Sequence, residues 1–273
     1  MKFTKMQGAG NDFIVVDNYR GETAPEQYTE LAARLCRRRI SIGADGMMFV
    51  ERPRDGGDFR MRYFNSDGTE GEMCGNGARC IARFGYELGL GGDEMHIETV
   101  SGTVTAWRIG REEYRVKLND PTVWNPNAKA TAEGREWACG YTELGKNGIP
   151  HAVLLHAVPP RGEEAPLFGL GRALRCAPEF PKGANVTFCE KAGGNMFRVL
   201  TYERGVEDFT LACGTGCGST AAFLAAWGLI SGTEVRLDCP GGVLSVSLAW
   251  DGARAKDIYL TGPATVVARG ETP

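Results

Sequence analysis

The chain has 273 residues, 42% hydrophobic and 24% charged, with a formal net charge of −3. That length carries two domains or one large one around a buried core, and no basic stripe marks a nucleic-acid binder: the densest run, Arg37-Arg38-Arg39, reads as a helix C-terminus, where cations suit the dipole. No apolar run approaches the roughly 20 residues that span a bilayer, and no signal-peptide apolar region opens the chain, so the expectation is a cytoplasmic protein without a membrane partner. In chain order, residues 1–7 read as a strand. Apolar alternation predicts further strands over 13–16, 47–51, 59–64, 95–99, 103–108 and 114–118. Helical spacing covers 25–38 and 78–88. Asn119-Asp120-Pro121 interrupts the pattern as a linker. Strands follow over 152–158, 185–190, 196–202, 234–238 and 243–250, with a helix over 219–229. The tail, from Ile258 to Val267, reads as one more strand pair returning to the first domain. The expected class is α+β with mostly antiparallel strands.

An internal repeat organises these elements. Gly10-Asn11-Asp12-Phe13 before an apolar strand is echoed by Gly148-Ile149-Pro150-His151. Gly43-Ala44-Asp45 is echoed by Gly183-Ala184-Asn185, and Cys74-Gly75-Asn76-Gly77 by Cys213-Gly214-Thr215-Gly216. Ser101-Gly102 before an alternating strand is echoed by Gly241-Gly242. All four pairs occur in the same order at offsets of 138 to 140 residues. That period is too long for a solenoid unit and indicates a duplicated domain. The expected domains are 1–118 with 257–273, carrying Cys74, and 119–256, carrying Cys213.

The nine cysteines are odd in number and include no CxxC pair, which argues against a disulfide framework and against zinc. A Cys74/Cys80 and Cys213/Cys217 metal set fits no standard ligand spacing, and Cys80 and Cys217 read as core residues. Cys74 and Cys213 differ, because each precedes Gly-X-Gly and a helical run. Unpaired N–H groups and the dipole at a helix start favour a thiolate, and the same N–H groups can bind a carboxylate. Two such halves would provide two sulfurs flanking one carboxylate-bearing carbon. One would remove the α-proton and the other would return a proton to the opposite face. Like charges disfavour ionising both, so one thiolate and one thiol is the expected working pair. His151, opposite Asp12 in the repeat, is a support candidate. Gly8-Ala9-Gly10 lacks the strand-to-helix context of a dinucleotide loop.

The segments Lys5-Met6-Gln7-Gly8-Ala9-Gly10-Asn11-Asp12-Phe13, Asn65-Ser66-Asp67-Gly68, Met73-Cys74-Gly75-Asn76-Gly77-Ala78-Arg79-Cys80, Tyr202-Glu203-Arg204-Gly205, Ala212-Cys213-Gly214-Thr215-Gly216 and Pro240-Gly241-Gly242 resemble those of diaminopimelate epimerase. The resemblance covers essentially the whole chain. It implies two pseudo-symmetric halves, each wrapping strands around a central helix, and a cofactor-free, metal-free isomerase interconverting LL- and meso-diaminopimelate. It implies Cys74 and Cys213 as acid and base, with His151 and Glu203 assisting. Gly75, Asn76, Gly214 and Thr215 would hold the reacting carboxylate. Asn11, Asn65, Asn185, Glu203 and Arg204 would hold the polar ends of the substrate. Two departures bear on the distal end: Ile149 stands where the family often has asparagine, and Val206–Leu211 carries one extra residue, with Phe209 where an acid is common. Alternatives are a racemase of another amino acid, such as a proline-racemase relative, and a non-catalytic amino-acid binder. Paired thiols argue against the binder, and no lysine shares the repeat as a pyridoxal enzyme would need. Arg204 favours a dicarboxylate. The expected partner is a small amino acid, with no nucleic acid, and a homodimer is left open.

Overall fold

The computed structural model describes residues 1–71, 74–145 and 148–272. The chain divides into two compact units. Unit 1 comprises 1–116 with 261–273, and unit 2 comprises 117–260. Sequence patterning sets these boundaries two to four residues away, at 118/119 and 256/257.

Unit 1 contains β1 (Lys2–Gly8), β2 (Asn11–Asp17), α1 (Tyr28–Leu35), β3 (Gly46–Glu51), β4 (Phe59–Asn65), β5 (Glu70–Gly71), α2 (Gly75–Glu87), β6 (Glu94–Thr99) and β7 (Gly102–Arg108). At its end lies β8 (Glu113–Lys117). Unit 2 contains β9 (Pro121–Ala132), β10 (Arg135–Leu144), β11 (Pro150–Leu155), α3 (Ala165–Arg175), β12 (Asn185–Gly193), β13 (Met196–Glu203), β14 (Asp208–Thr210), α4 (Gly214–Ala226), β15 (Glu234–Cys239) and β16 (Gly242–Trp250). The chain returns to unit 1 within β17 (Ala255–Pro263), and β18 (Thr265–Glu271) pairs antiparallel with β1.

The sequence repeat is also a repeat of strand pairing. In unit 1, β1–β2, β3–β4 and β6–β7 are antiparallel, while β2–β3 and β4–β6 are parallel. In unit 2, β10–β11, β12–β13 and β15–β16 are antiparallel, while β11–β12 and β13–β15 are parallel. The class is α+β, with mostly antiparallel strands and four α-helices among the described residues. In unit 1, Tyr28 of α1 stacks on Phe49 at 3.7 Å between ring centres, within a cluster that includes Ile14, Val16, Met47 and Phe64. In unit 2, Leu167, Leu170 and Leu174 of α3 pack with Val186, Phe188 and Tyr202. Helix α4 carries no charged residue and is buried from Gly216 to Leu224. It is apolar all round, as a central helix must be.

Several expected elements differ. The helix expected over 25–38 is a 3-10 turn at Pro25–Gln27 followed by α1, which ends at Cys36. Arg37-Arg38-Arg39 therefore lies beyond the helix. Arg39 takes a φ of 72°, and Gly43 N–H closes the end onto Leu35 O at 2.9 Å. The other two helices begin earlier than apolar spacing indicates, at Gly75 and Gly214, because glycines form their first turns. Pro121, expected in the linker, opens β9. Strands β9 and β10 and helix α3 go beyond the sequence reading. No helix among the described residues is long and apolar enough to cross a membrane.

Candidate active site

Cys74 is the N-cap of α2, with extended backbone at φ −129° and ψ 119°, and its carbonyl accepts Ala78 N–H at 2.7 Å. An extended cap leaves the first turn of N–H groups facing outward, away from any intrahelical acceptor. The sulfur is partly exposed, and its S–H meets Asn11 Oδ1 at 3.4 Å. The same oxygen receives Asn76 Nδ2 at 3.5 Å, and Asn11 Nδ2 donates to Asp45 Oδ2 at 2.5 Å. Behind this triad lies an ion cluster. Lys5 Nζ is 2.7 Å from Asp12, and Arg38 bridges Asp12 at 2.5 Å and Asp45 at 2.8 Å. Burial alone would raise the Asp12 carboxyl, but the bonds from Arg38 and Lys5 outweigh it and hold it below its usual range. Arg79 is fully buried and donates to Asn76 Oδ1 at 3.0 Å, stiffening the helix start.

Cys213 repeats this arrangement in unit 2. It is the N-cap of α4 at φ −111° and ψ 111°, and its carbonyl accepts Cys217 N–H at 2.9 Å. Its sulfur has different neighbours. Thr215 Oγ1 lies 3.7 Å away and Asn185 Nδ2 3.9 Å away. Asn185 Oδ1 accepts Arg204 N–H at 2.8 Å. His151 Nε2 pairs with Thr215 Oγ1 at 3.0 Å, while His151 Nδ1 is buried with no hydrogen-bond partner among the described residues. Burial, and secondarily the charge of Arg204, pushes His151 down from 6.5 to about 3, so the ring is neutral near pH 7. The Cys213 thiol is pushed well up, first by burial and then by the charge of Glu203. The Gly216 N–H and Thr215 hydroxyl pull the other way. Glu203 Oε1 accepts from Thr210 Oγ1 at 2.5 Å. The Arg204 guanidinium donates to Lys182 O at 2.6 Å and has no carboxylate partner among the described residues.

The sequence matches the diaminopimelate epimerase family over residues 3–124 and 145–267. The chain belongs to the diaminopimelate epimerase family. It is 37% identical to the diaminopimelate epimerase of Methanothrix thermoacetophila, over 99% of this chain and 95% of that one. It is likewise 37% identical to that of Aquifex aeolicus, over 99% and 97%. Relatives of this extent make the protein an isomerase of the epimerase type. Similar solved folds include a probable proline racemase from Agrobacterium radiobacter, with a TM-score of 0.72 at 20% identity over 100% of this chain and 92% of that one. A hydroxyproline epimerase from Agrobacterium vitis also scores 0.72, at 18% identity over 100% and 90%. At these identities they speak for the fold alone.

Within this epimerase-family chain, unit 1 brings Cys74, Gly75, Asn76 and Asn11 together. Asn65 ends β4 in a turn, where its amide donates to Thr69 Oγ1 at 3.0 Å. Met73 of the first cysteine motif lies outside the described residues. Unit 2 brings Cys213, Gly214, Thr215, His151, Asn185 and the Arg204 backbone together, with the charge of Glu203 acting on the sulfur. Ile149, in the position where asparagine is frequent, is 44% exposed. Phe209 packs edge-on against Tyr202, with ring centres 5.6 Å apart, at the margin of the unit 2 core. Cys80 is fully buried, and burial pushes its thiol up to about 12. Cys217 and Cys239 are buried with sulfurs 3.6 Å apart. No cluster of three or more His, Cys, Asp or Glu side chains that could hold a metal ion occurs among the described residues. A groove of about 290 Å³ in unit 2, lined by Arg161, Phe168 and Phe209 among others, does not include Cys213 and is not where the thiol chemistry sits. Sequence reasoning missed Asp45 as a partner of Asn11. The available signal was its place in the repeat opposite Asn185.

Proposed function

We propose that this epimerase interconverts LL- and meso-diaminopimelate by proton transfer between Cys74, Cys213 and an α-carbon. The observation that carries this reading is the duplicated cap: two cysteines, 139 residues apart, share one extended conformation at the start of two 13-residue helices. The first turns, Gly75-Asn76 and Gly214-Thr215, carry N–H groups without intrahelical acceptors beside the two sulfurs and suit the substrate α-carboxylate, whose charge grows as the carbanion forms. One sulfur takes the proton from one face, and the other delivers its proton to the opposite face. In the reverse direction the roles exchange.

Before substrate arrives, burial and Glu203 keep Cys213 protonated. A substrate ammonium beside Glu203 offsets that charge, and the Gly216 and Thr215 donors then favour the thiolate. Neutral His151 orients Thr215 rather than carrying a charge of its own. Arg204, without a carboxylate partner among the described residues, is suited to grip the distal carboxylate of a dicarboxylic amino acid in two-pronged fashion. We place the enzyme in the cytoplasm, where thiols stay reduced.

The test is kcat/KM for LL-diaminopimelate and for a panel of monocarboxylic L-amino acids, in the wild type and in Arg204→Ala. Diaminopimelate should be the best wild-type substrate, and R204A should reduce its turnover far more than that of the panel. Losing one partner of a desolvated charge pair costs about 2–5 kcal/mol. If diaminopimelate were no better than the panel, the substrate assignment would be wrong.

A further inference from the structure

Asn11 and Asn185 each lie against a catalytic sulfur, and each is fixed by a partner of definite polarity. An ionised carboxylate can only accept. The 2.5 Å bond to Asp45 Oδ2 therefore requires the NH2 end of Asn11 to face Asp45, which leaves Oδ1 toward Cys74 Sγ at 3.4 Å. Asn76 Nδ2, donating to the same Oδ1 at 3.5 Å, enforces the same orientation from the other side. Asp45 is itself clamped: Oδ1 accepts from Arg38 at 2.8 Å, and Oδ2 also accepts Asp12 N–H at 3.1 Å. In unit 2 the polarity is reversed. Arg204 N–H occupies the oxygen of Asn185, so the NH2 end lies toward Cys213 Sγ at 3.9 Å. Asp45 and Asn185 are the same position of the repeat, an acid in one half and an amide in the other.

We propose that Asp45 is a positioning residue that keeps the resting proton on Cys74, by fixing which end of the Asn11 amide meets the sulfur. An acceptor beside a sulfur stabilises S–H, and donors beside it stabilise S⁻. Both sulfurs are protonated at rest; the asymmetry keeps the proton on Cys74, whereas the donors beside Cys213 stabilise its thiolate once substrate binds. This rests on the two-thiol reading above for its catalytic meaning, but not for its measurement.

The measurement is the alkylation rate of each cysteine by iodoacetamide at pH 7, read by peptide mass spectrometry on the intact protein without substrate. In Asp45→Asn, Arg38 retains the oxygen of the new amide and the NH2 turns toward Asn11. With no acceptor left on that side, Asn11 is released to turn its NH2 to Cys74, at the expense of the long 3.5 Å contact from Asn76 Nδ2. The Cys74 rate should rise about tenfold, the effect of roughly one pH unit in thiol ionisation. The Cys213 rate should not change. Asn11→Ala should reproduce the Cys74 increase. Arg38→Ala, which loosens the same ion cluster but leaves the Asp45–Asn11 bond, should not. Epimerisation by D45N should fall in kcat in both directions.

A folded D45N whose Cys74 rate equals that of the wild type would overturn the assignment, as would an equal rise at Cys213, which signals general loosening. If D45N does not fold, Asp45→Glu, which retains an acceptor, should keep the wild-type Cys74 rate while N11A raises it. Failure of either would be equally decisive. Because alkylation needs no turnover, a wild type inactive on diaminopimelate would sink the substrate reading alone.

Discussion

At the residue scale, the two sulfurs carry the chemistry and their neighbours decide its direction. Replacing Cys74 or Cys213 with alanine removes one general acid/base and should lower kcat by about 10²–10⁴-fold or more, with folding unaffected. Equal circular dichroism spectra with unequal turnover would establish this. Glu203 gives a second expectation. Its charge raises the Cys213 thiol, so Glu203→Gln should speed Cys213 alkylation near pH 7 while weakening substrate turnover. An unchanged alkylation rate would place Glu203 too far away to matter. His151 gives a third. Its folded value is depressed to about 3 from 6.5, so below 6.5 the unfolded chain binds a proton that the folded chain refuses. Stability is therefore retained above about 6.5 and lost as pH falls from 6.5 toward 3. His151→Gln should flatten this part of a plot of Tm against pH. A plot of unchanged slope would mean that the ring is not held neutral.

At the element scale, the two helix starts demand glycine for contact reasons. A Cβ at Gly216 would lie 3.1 Å from Cys213 Cβ and 3.2 Å from its sulfur, whereas one at Gly77 would lie 3.4 Å from Cys74 Cβ and 3.3 Å from Met48 Sδ. Gly216→Ala should thus displace the sulfur and reduce kcat more than Gly77→Ala does, with both variants folded; the reverse ranking would contradict this placement. These caps were legible from sequence because cysteine followed by Gly-X-Gly recurs at one offset. Strands β9 and β10 were not legible. β9 buries mainly alanines and places Pro126 within its span, and β10 contains Gly140, where a Cβ would lie 2.5 Å from the Phe223 ring. Small residues fill these strands because helices pack closely on them, α3 on the β9 alanines and α4 on β10, so the bulky alternation that marks a strand is missing. Helix α3 was hidden for a related reason, since Gly169 and Gly171 interrupt its apolar spacing and Gly171 lets Tyr202 approach.

At the scale of the whole molecule, duplication explains why one sequence pattern yields two sites of opposite polarity. The pairing order of strands is the same in both units, while Asp12 and Asp45 of unit 1 become His151 and Asn185 of unit 2. The repeat was readable because glycines and cysteines hold fixed backbone positions. The polarity was not, because it depends on which end of an amide a neighbour selects. Stereoinversion by two groups predicts where solvent hydrogen ends up. The most direct test runs LL-diaminopimelate with the wild type in D2O to low conversion, with product and recovered substrate analysed separately. If one sulfur removes the α-hydrogen and the other delivers a solvent-derived deuteron, essentially every meso product carries deuterium at the inverted carbon, while recovered LL substrate carries almost none. Meso product that retains the original α-hydrogen would mean that a single group both removes and returns it, and would contradict the two-cysteine account.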